Sequence, residues 1–243
     1  MHPVIARFLD PELARAALDQ EASVEAAGPQ DRAFIRAAQA HPEQRAALLA
    51  GKSGEPEVET ALVFLAAHAA ALALEQDASL AEAARKARHS LREEGASEDQ
   101  TESFLASILL EEAFGDENEV DTFDADFVRE TLHEVPALAA LTREKLDSLL
   151  ESFLRGAPTL LDSQAREQMG KALLETAWAE GPTPIHSEHV ETLLASQVKA
   201  GGEEAQEARL RATVELLQML AKAGLVGPTR LVKLRALLGD DDA

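Results

Sequence analysis

The chain has 243 residues, 46% of them hydrophobic, and its 23 basic and 44 acidic residues leave a net charge of −21. That apolar content is ample for a packed core and argues against global disorder, while the negative field disfavours general affinity for nucleic-acid backbone or an anionic membrane and suits a basic partner. With no cysteine there is no disulfide framework, thiolate zinc site or nucleophilic thiol, and an Ala/Leu-dominated composition without alternating β-branched runs points to an all-α fold.

Residues 1–10 lack the charged start and long apolar core of a signal peptide, which makes the bacterial cytoplasm the expected location. Asp10-Pro11-Glu12 is a helix start: Asp caps, Pro fits the first turn and Glu complements the helix dipole. The helix is expected to reach about Ala26, where Gly28-Pro29 breaks it. Two short helices follow, over 31–40 around Phe34, Ile35 and Ala38, and from Pro42 to Gly51.

Residues 57–75 are the segment around which the rest is expected to pack. From Ala61 to Leu74 a single polar side chain, His68, interrupts fourteen residues. A helix apolar on every side is buried on every side, and a bilayer span needs about 20 such residues, so this run reads as the central helix of a soluble protein. His68 is expected to be a core histidine bonded to a backbone carbonyl or to a carboxylate of a neighbouring helix.

Asp77 to Leu80 opens a helix with Leu80, Ala84, Ala87 and Leu91 on one apolar stripe and Arg85, Lys86, Arg88 and Arg92 on the other face. Ser97 and Gln100 have capping-box spacing and precede a helix carrying Phe104, Leu105, Ile108, Leu109 and Phe114. Residues 115–126 are strongly acidic and are read as the boundary between two packed helical halves, 1–116 and 124–243. They place Val120 where a calcium loop needs an oxygen ligand and Asp121 where it needs glycine. Beyond them, Pro136 is expected to stop a helix through Val128, Leu132 and Val135, and Thr142 to cap one through Leu146, Leu149, Leu150 and Phe153. A further helix is expected over 163–180, another after Ser187, and then a flexible Gly201-Gly202 joint.

The hairpin 203–238 closes the chain. It holds six basic and four acidic residues, a net +2, against −20 for residues 1–202. Leu210, Val214, Leu217 and Ala221 form the expected apolar stripe of its first helix, and Leu231, Leu234 and Leu238 that of its second. The expected partner-binding residues are Arg230, Leu231, Leu234, Arg235 and Leu238, with the apolar face covered by the acidic body or by another chain. About ten helices are expected in all.

Three constellations bear on chemistry. Glu130 and His133 have the i, i+3 spacing of a carboxylate-bridged metal site, yet on the wheel set by Val128, Leu132 and Val135 they face solvent. His186 and His189 could supply two metal ligands, but Ser187 and Glu188 between them also fit a helix cap and its dipole. Arg230, Lys233 and Arg235 on the last helix have the look of a DNA-reading helix, opposed by the surrounding negative field and by a long turn. No phosphate loop or hydrolase elbow is present, and no cofactor is expected. The reading from sequence is an acidic, non-catalytic interaction or regulatory protein acting on a protein partner or a second copy of itself. The alternatives are a helical enzyme or cofactor binder using His68 or the His186/His189 pair, and a DNA-binding regulator.

Overall fold

The computed structural model describes residues 1–114, 123–155, 166–167, 170–172, 185, 189–190 and 203–238. The acidic stretch 116–121, most of the expected helix 163–180, His186 and Gly201-Gly202 lie outside the described residues. Helices and turns make up the described chain, with no strand among these residues. The fold class is all-α. The chain divides into two compact units, Met1–Arg129 and Glu130–Ala243, and the division falls inside a helix that follows the acidic stretch.

The first unit contains α1 (Pro3–Phe8), α2 (Pro11–Leu18), α3 (Pro29–Ala40), α4 (Pro42–Ala50), α5 (Pro56–Ala73), α6 (Ala81–Glu93) and α7 (Glu98–Phe114). The first five of these open on proline, whose missing N–H costs nothing in a first turn. Asp10 caps α2 by accepting from the backbone of Glu12 (2.8 Å) and Leu13 (3.3 Å). Ser97 and Gln100 form the reciprocal capping box at α7: Gln100 N donates to Ser97 Oγ at 3.1 Å and Ser97 N to Gln100 Oε1 at 2.8 Å. The tight helical turn Glu21–Ala26 replaces the second half of the long helix expected after Asp10. Asp19, Ser23 and Val24 are weak helix formers, which accounts for the break after Leu18.

The central element is α5. Contacts from α1, α3, α4 and α7 cover it, and Val58, Leu62, Leu65 and six alanines from Ala66 to Ala73 are buried. Its alanines let neighbouring backbones approach, as do the buried Ala33, Ala37 and Ala38 of α3, its most extensive neighbour. Phe8 of α1 and Phe34 of α3, both fully buried, stack with ring centroids 4.2 Å apart. Pro56–Gln76 is long and apolar enough, by length and composition, to cross a bilayer, and in this fold most of it is packed against other helices.

Arg88 departs from the exposed basic face expected for α6. It is buried, donates to the Ala71 carbonyl at 2.6 Å, and pairs with Glu102 and with Glu75 (3.0 Å). It lies four residues after Ala84 and so belongs to the apolar stripe itself, with carboxylates from two neighbouring segments supplying the countercharge.

Helix α8 (Ala125–Ala139) crosses the division and runs through Pro136. Pro136 is exposed, and burial of Val135 and Leu138 on either side offsets the lost backbone bond, so the proline does not end the helix. The second unit continues with α9 (Arg143–Leu154), capped by Thr142, then α10 (Glu203–Lys222) and α11 (Pro228–Leu237). Gly224, at φ 75°, ends α10: Leu225 N bonds back to Leu220 O and Gly224 N to Ala221 O. The stripe of α10 is turned from the expected one. Ala208, Ala212, Leu216 and Leu220 are buried together with Thr213 and Leu217, leaving Leu210, Val214 and Ala221 half-buried. With apolar residues around most of α10, its small Ala208 and Ala212 mark the side that packs inward. Arg166 places its guanidinium 4.2 Å from the centre of the Phe153 ring, donates to Phe153 O and pairs with Glu215 of α10 at 2.8 Å.

Candidate functional site

Two assemblies of polar side chains come forward, one in each unit. In the first, His68 is 4% exposed. Its Nδ1 lies 2.9 Å from Phe64 O, one turn earlier in α5, and its Nε2 lies 3.3 Å from Ser103 Oγ on α7. A carbonyl only accepts, so Nδ1 carries the proton, Nε2 presents a lone pair, and the Ser103 hydroxyl donates to it. Burial lowers the His68 pKa below 6.5, opposed by the Phe64 hydrogen bond and reinforced by His41. His41, at the α3–α4 junction, sets its ring 4.4 Å from that of His68 and 4.8 Å from that of Phe64, and its Nε2 is 3.8 Å from Asp99. Phe64 stacks on His68 at 4.1 Å. The result is a neutral imidazole, fixed in tautomer, bearing an exposed serine hydroxyl. Of these residues sequence reasoning found only His68. His41 stands in the sequence only as the residue between two short helices, next to Pro42, and nothing in the spacing announces that Ser103 meets a residue 35 positions away.

In the second unit, α8 holds the start of α11. Glu130 accepts from Thr229 N and Oγ1, both at 2.6 Å. Glu134 accepts from Gly227 N at 2.7 Å and from Arg230 Nε at 3.4 Å. Arg230, 2% exposed, also donates to Thr131 Oγ1 (2.8 Å) and to the Ile185 carbonyl (3.2 Å). A methyl group at Gly227 would come within 2.2 Å of Glu130 Oε1, so only glycine admits this approach. Glu130 is therefore a cap for another helix, while His133 is exposed. The signal for this was present as Glu130 and Glu134 one turn apart with Thr131 between them.

Of the five residues expected to contact a partner, Arg230, Leu234 and Leu238 are buried within the described chain, and Leu231 and Arg235 are half-buried. The outward arc of α11 carries instead Val232 (51% exposed), Lys233, Ala236 and Leu237 (42% exposed). Burial of Arg230 also removes one of the three cations that the DNA-reading alternative needed. His189 is helical and half-buried, and its expected co-ligand His186 lies outside the described residues. No cluster of three or more His, Asp or Glu is placed to hold a metal among the described residues.

No family model matches this chain, and comparison with curated proteins and with solved structures returns no match.

Proposed function

We propose that this protein is an acidic helical interaction protein of the bacterial cytoplasm, regulatory in role, that docks on a protein partner through the outward arc of α11. One observation supports the reading. Among the described residues five large hydrophobic side chains are exposed, and two of them, Val232 and Leu237, fall on this ten-residue helix, which is fastened from behind by a buried Arg–Glu pair. A helix held rigidly by one face meets a partner with little further ordering cost, and exposed aliphatics return apolar area when covered. The +2 charge of the hairpin suits an acidic partner surface, which the −20 of residues 1–202 in a second copy also provides. The test is capture of assemblies from native lysate, and their mass in solution, with the full chain and with Val232→Glu/Leu237→Glu. Loss of an assembly at unchanged melting temperature is expected. A double variant that retains every assembly contradicts the proposal.

The Ser103–His68 pair favours a second reading, a helical enzyme working by acyl transfer. Ser103 Oγ would bond to an ester carbonyl carbon, its proton passing to His68 Nε2 and then to the leaving alkoxide. Labelling of Ser103 by an activated ester, abolished in His68→Gln, is the expected outcome on this reading. An equal rate in both proteins removes it.

A further inference from the structure

A cavity of about 250 Å³ opens in the first unit between the start of α3 and the end of α5. Arg32 and Arg36, one turn apart on α3, stand over it, with Ala33 between them, Leu72 and Gln76 opposite, and Glu25 at the side. Pro29 completes the wall. Neither arginine is held by a close carboxylate, although the chain has 44 acidic residues to 23 basic. Arg32 donates to a main-chain oxygen, that of Glu25, at 3.3 Å, and Arg36 reaches a carboxylate only at 3.9 Å, again on Glu25, where the two side chains are 61% and 83% exposed. Such a pair is worth little in water and opens readily. By contrast Arg7, Arg45, Arg88 and Arg166 all meet carboxylates at 3.0 Å or less. Two guanidinium forks with unspent donors therefore face one hollow, with the Gln76 amide on its far side.

The positive charge there comes from these side chains alone. α3 begins and α5 ends at the cavity, so the opposed ends of their dipoles largely cancel. Ala33, Leu72 and Pro29 give the hollow an apolar part, and Arg32 with Arg36 a planar, bidentate anion part. The volume lies below the roughly 300–1,000 Å³ of sites for drug-sized ligands, which limits the occupant to a small molecule. The nearby Glu25 carboxylate penalises a dianion more than a monoanion.

From this we infer a binding site for a small monocarboxylate with a short apolar tail, its carboxylate on Arg32 and Arg36 and its tail against Ala33 and Leu72. This site is independent of the docking face on α11. Three probes of the full chain test it by backbone amide shifts and calorimetry: hexanoate, hexanol for the tail alone, and inorganic phosphate for the charge alone. Hexanoate should bind saturably, with a Kd of roughly 0.1–1 mM for a ligand of this size, and shift the amides of α3 and of residues 72–76. Arg36→Gln, at an exposed position that leaves the fold intact, should weaken it at least about tenfold, and Arg32→Gln similarly. Hexanol and phosphate should each bind at least about tenfold more weakly than hexanoate. Absence of saturable hexanoate binding overturns the inference. So does equal binding of hexanol, which would reduce the site to an apolar hole, or of phosphate, which would reduce it to a charged patch, and so does an unchanged Kd in Arg36→Gln.

Discussion

Burial holds two histidines, His2 and His68, below their ordinary pKa of 6.5, so the unfolded chain takes up protons that the folded one resists. The sign follows from linkage. Between the lowered folded pKa and 6.5 the unfolded state binds more protons, so stability rises with pH there, is complete above about 6.5, and is lost as pH falls through that window. Melting temperature should therefore decline from about pH 7.5 to about pH 5.5, and His68→Leu should flatten part of that decline while His2 keeps the rest. Comparing the two proteins at each pH cancels the change in overall charge repulsion. An identical slope for His68→Leu would show that its imidazole titrates as it does in the unfolded chain. At neutral pH the same substitution should cost little, because Phe64 O keeps its helical bond and exposed Ser103 turns to water.

The grip of α8 on α11 gives sharper losses. Arg230→Ala takes the guanidinium from a Glu134 carboxylate at 4% side-chain exposure, and denaturant melts should show a loss of about 3–5 kcal/mol. Gly227→Ala forces Glu130 away from Thr229 and should cost about 1–3 kcal/mol. A Gly227→Ala protein as stable as the parent would mean that the Glu130 cap contributes nothing.

At the scale of elements, local chemistry was legible and azimuth was not. Asp10, Ser97 with Gln100, and Thr142 announce helix starts because a cap is satisfied within three residues of itself. α5 could be placed because a helix apolar all round has no orientation to guess. α10 could not be oriented: apolar residues cover most of its circumference, and which arc faces inward depends on α9 and α11, not on its own pattern. Arg88 shows the same limit, since its burial depends on carboxylates supplied by Glu75 and Glu102. α1 escaped notice for another reason, as six residues are too few for a period to show. Pro136 was misread because proline's penalty of about 3 kcal/mol is smaller than what burial of neighbouring Val135 and Leu138 returns. Pro136→Ala, at an exposed position, should accordingly raise stability by about 1–3 kcal/mol in the same melts, less whatever proline contributes by stiffening the unfolded chain. A destabilised variant would mean that the ring itself makes a needed contact.

On the scale of the whole molecule, the two compact units give the chain two places to fail. Leu65→Ala, at a fully buried position in α5, should cost about 2–5 kcal/mol and act on the first unit, while Arg230→Ala acts on the second. The proposal that α11 docks on another chain has a direct measurement. A photo-reactive amino acid placed at Val232, on the outward arc of α11, should capture a second polypeptide when native complexes are irradiated. Placed at Leu234, 2% exposed on the opposite side, it should form links within the chain alone. Capture of another chain from neither position, or equally from an exposed residue remote from α11 such as Leu49 and not from Val232, would contradict the assignment of α11 as the docking helix.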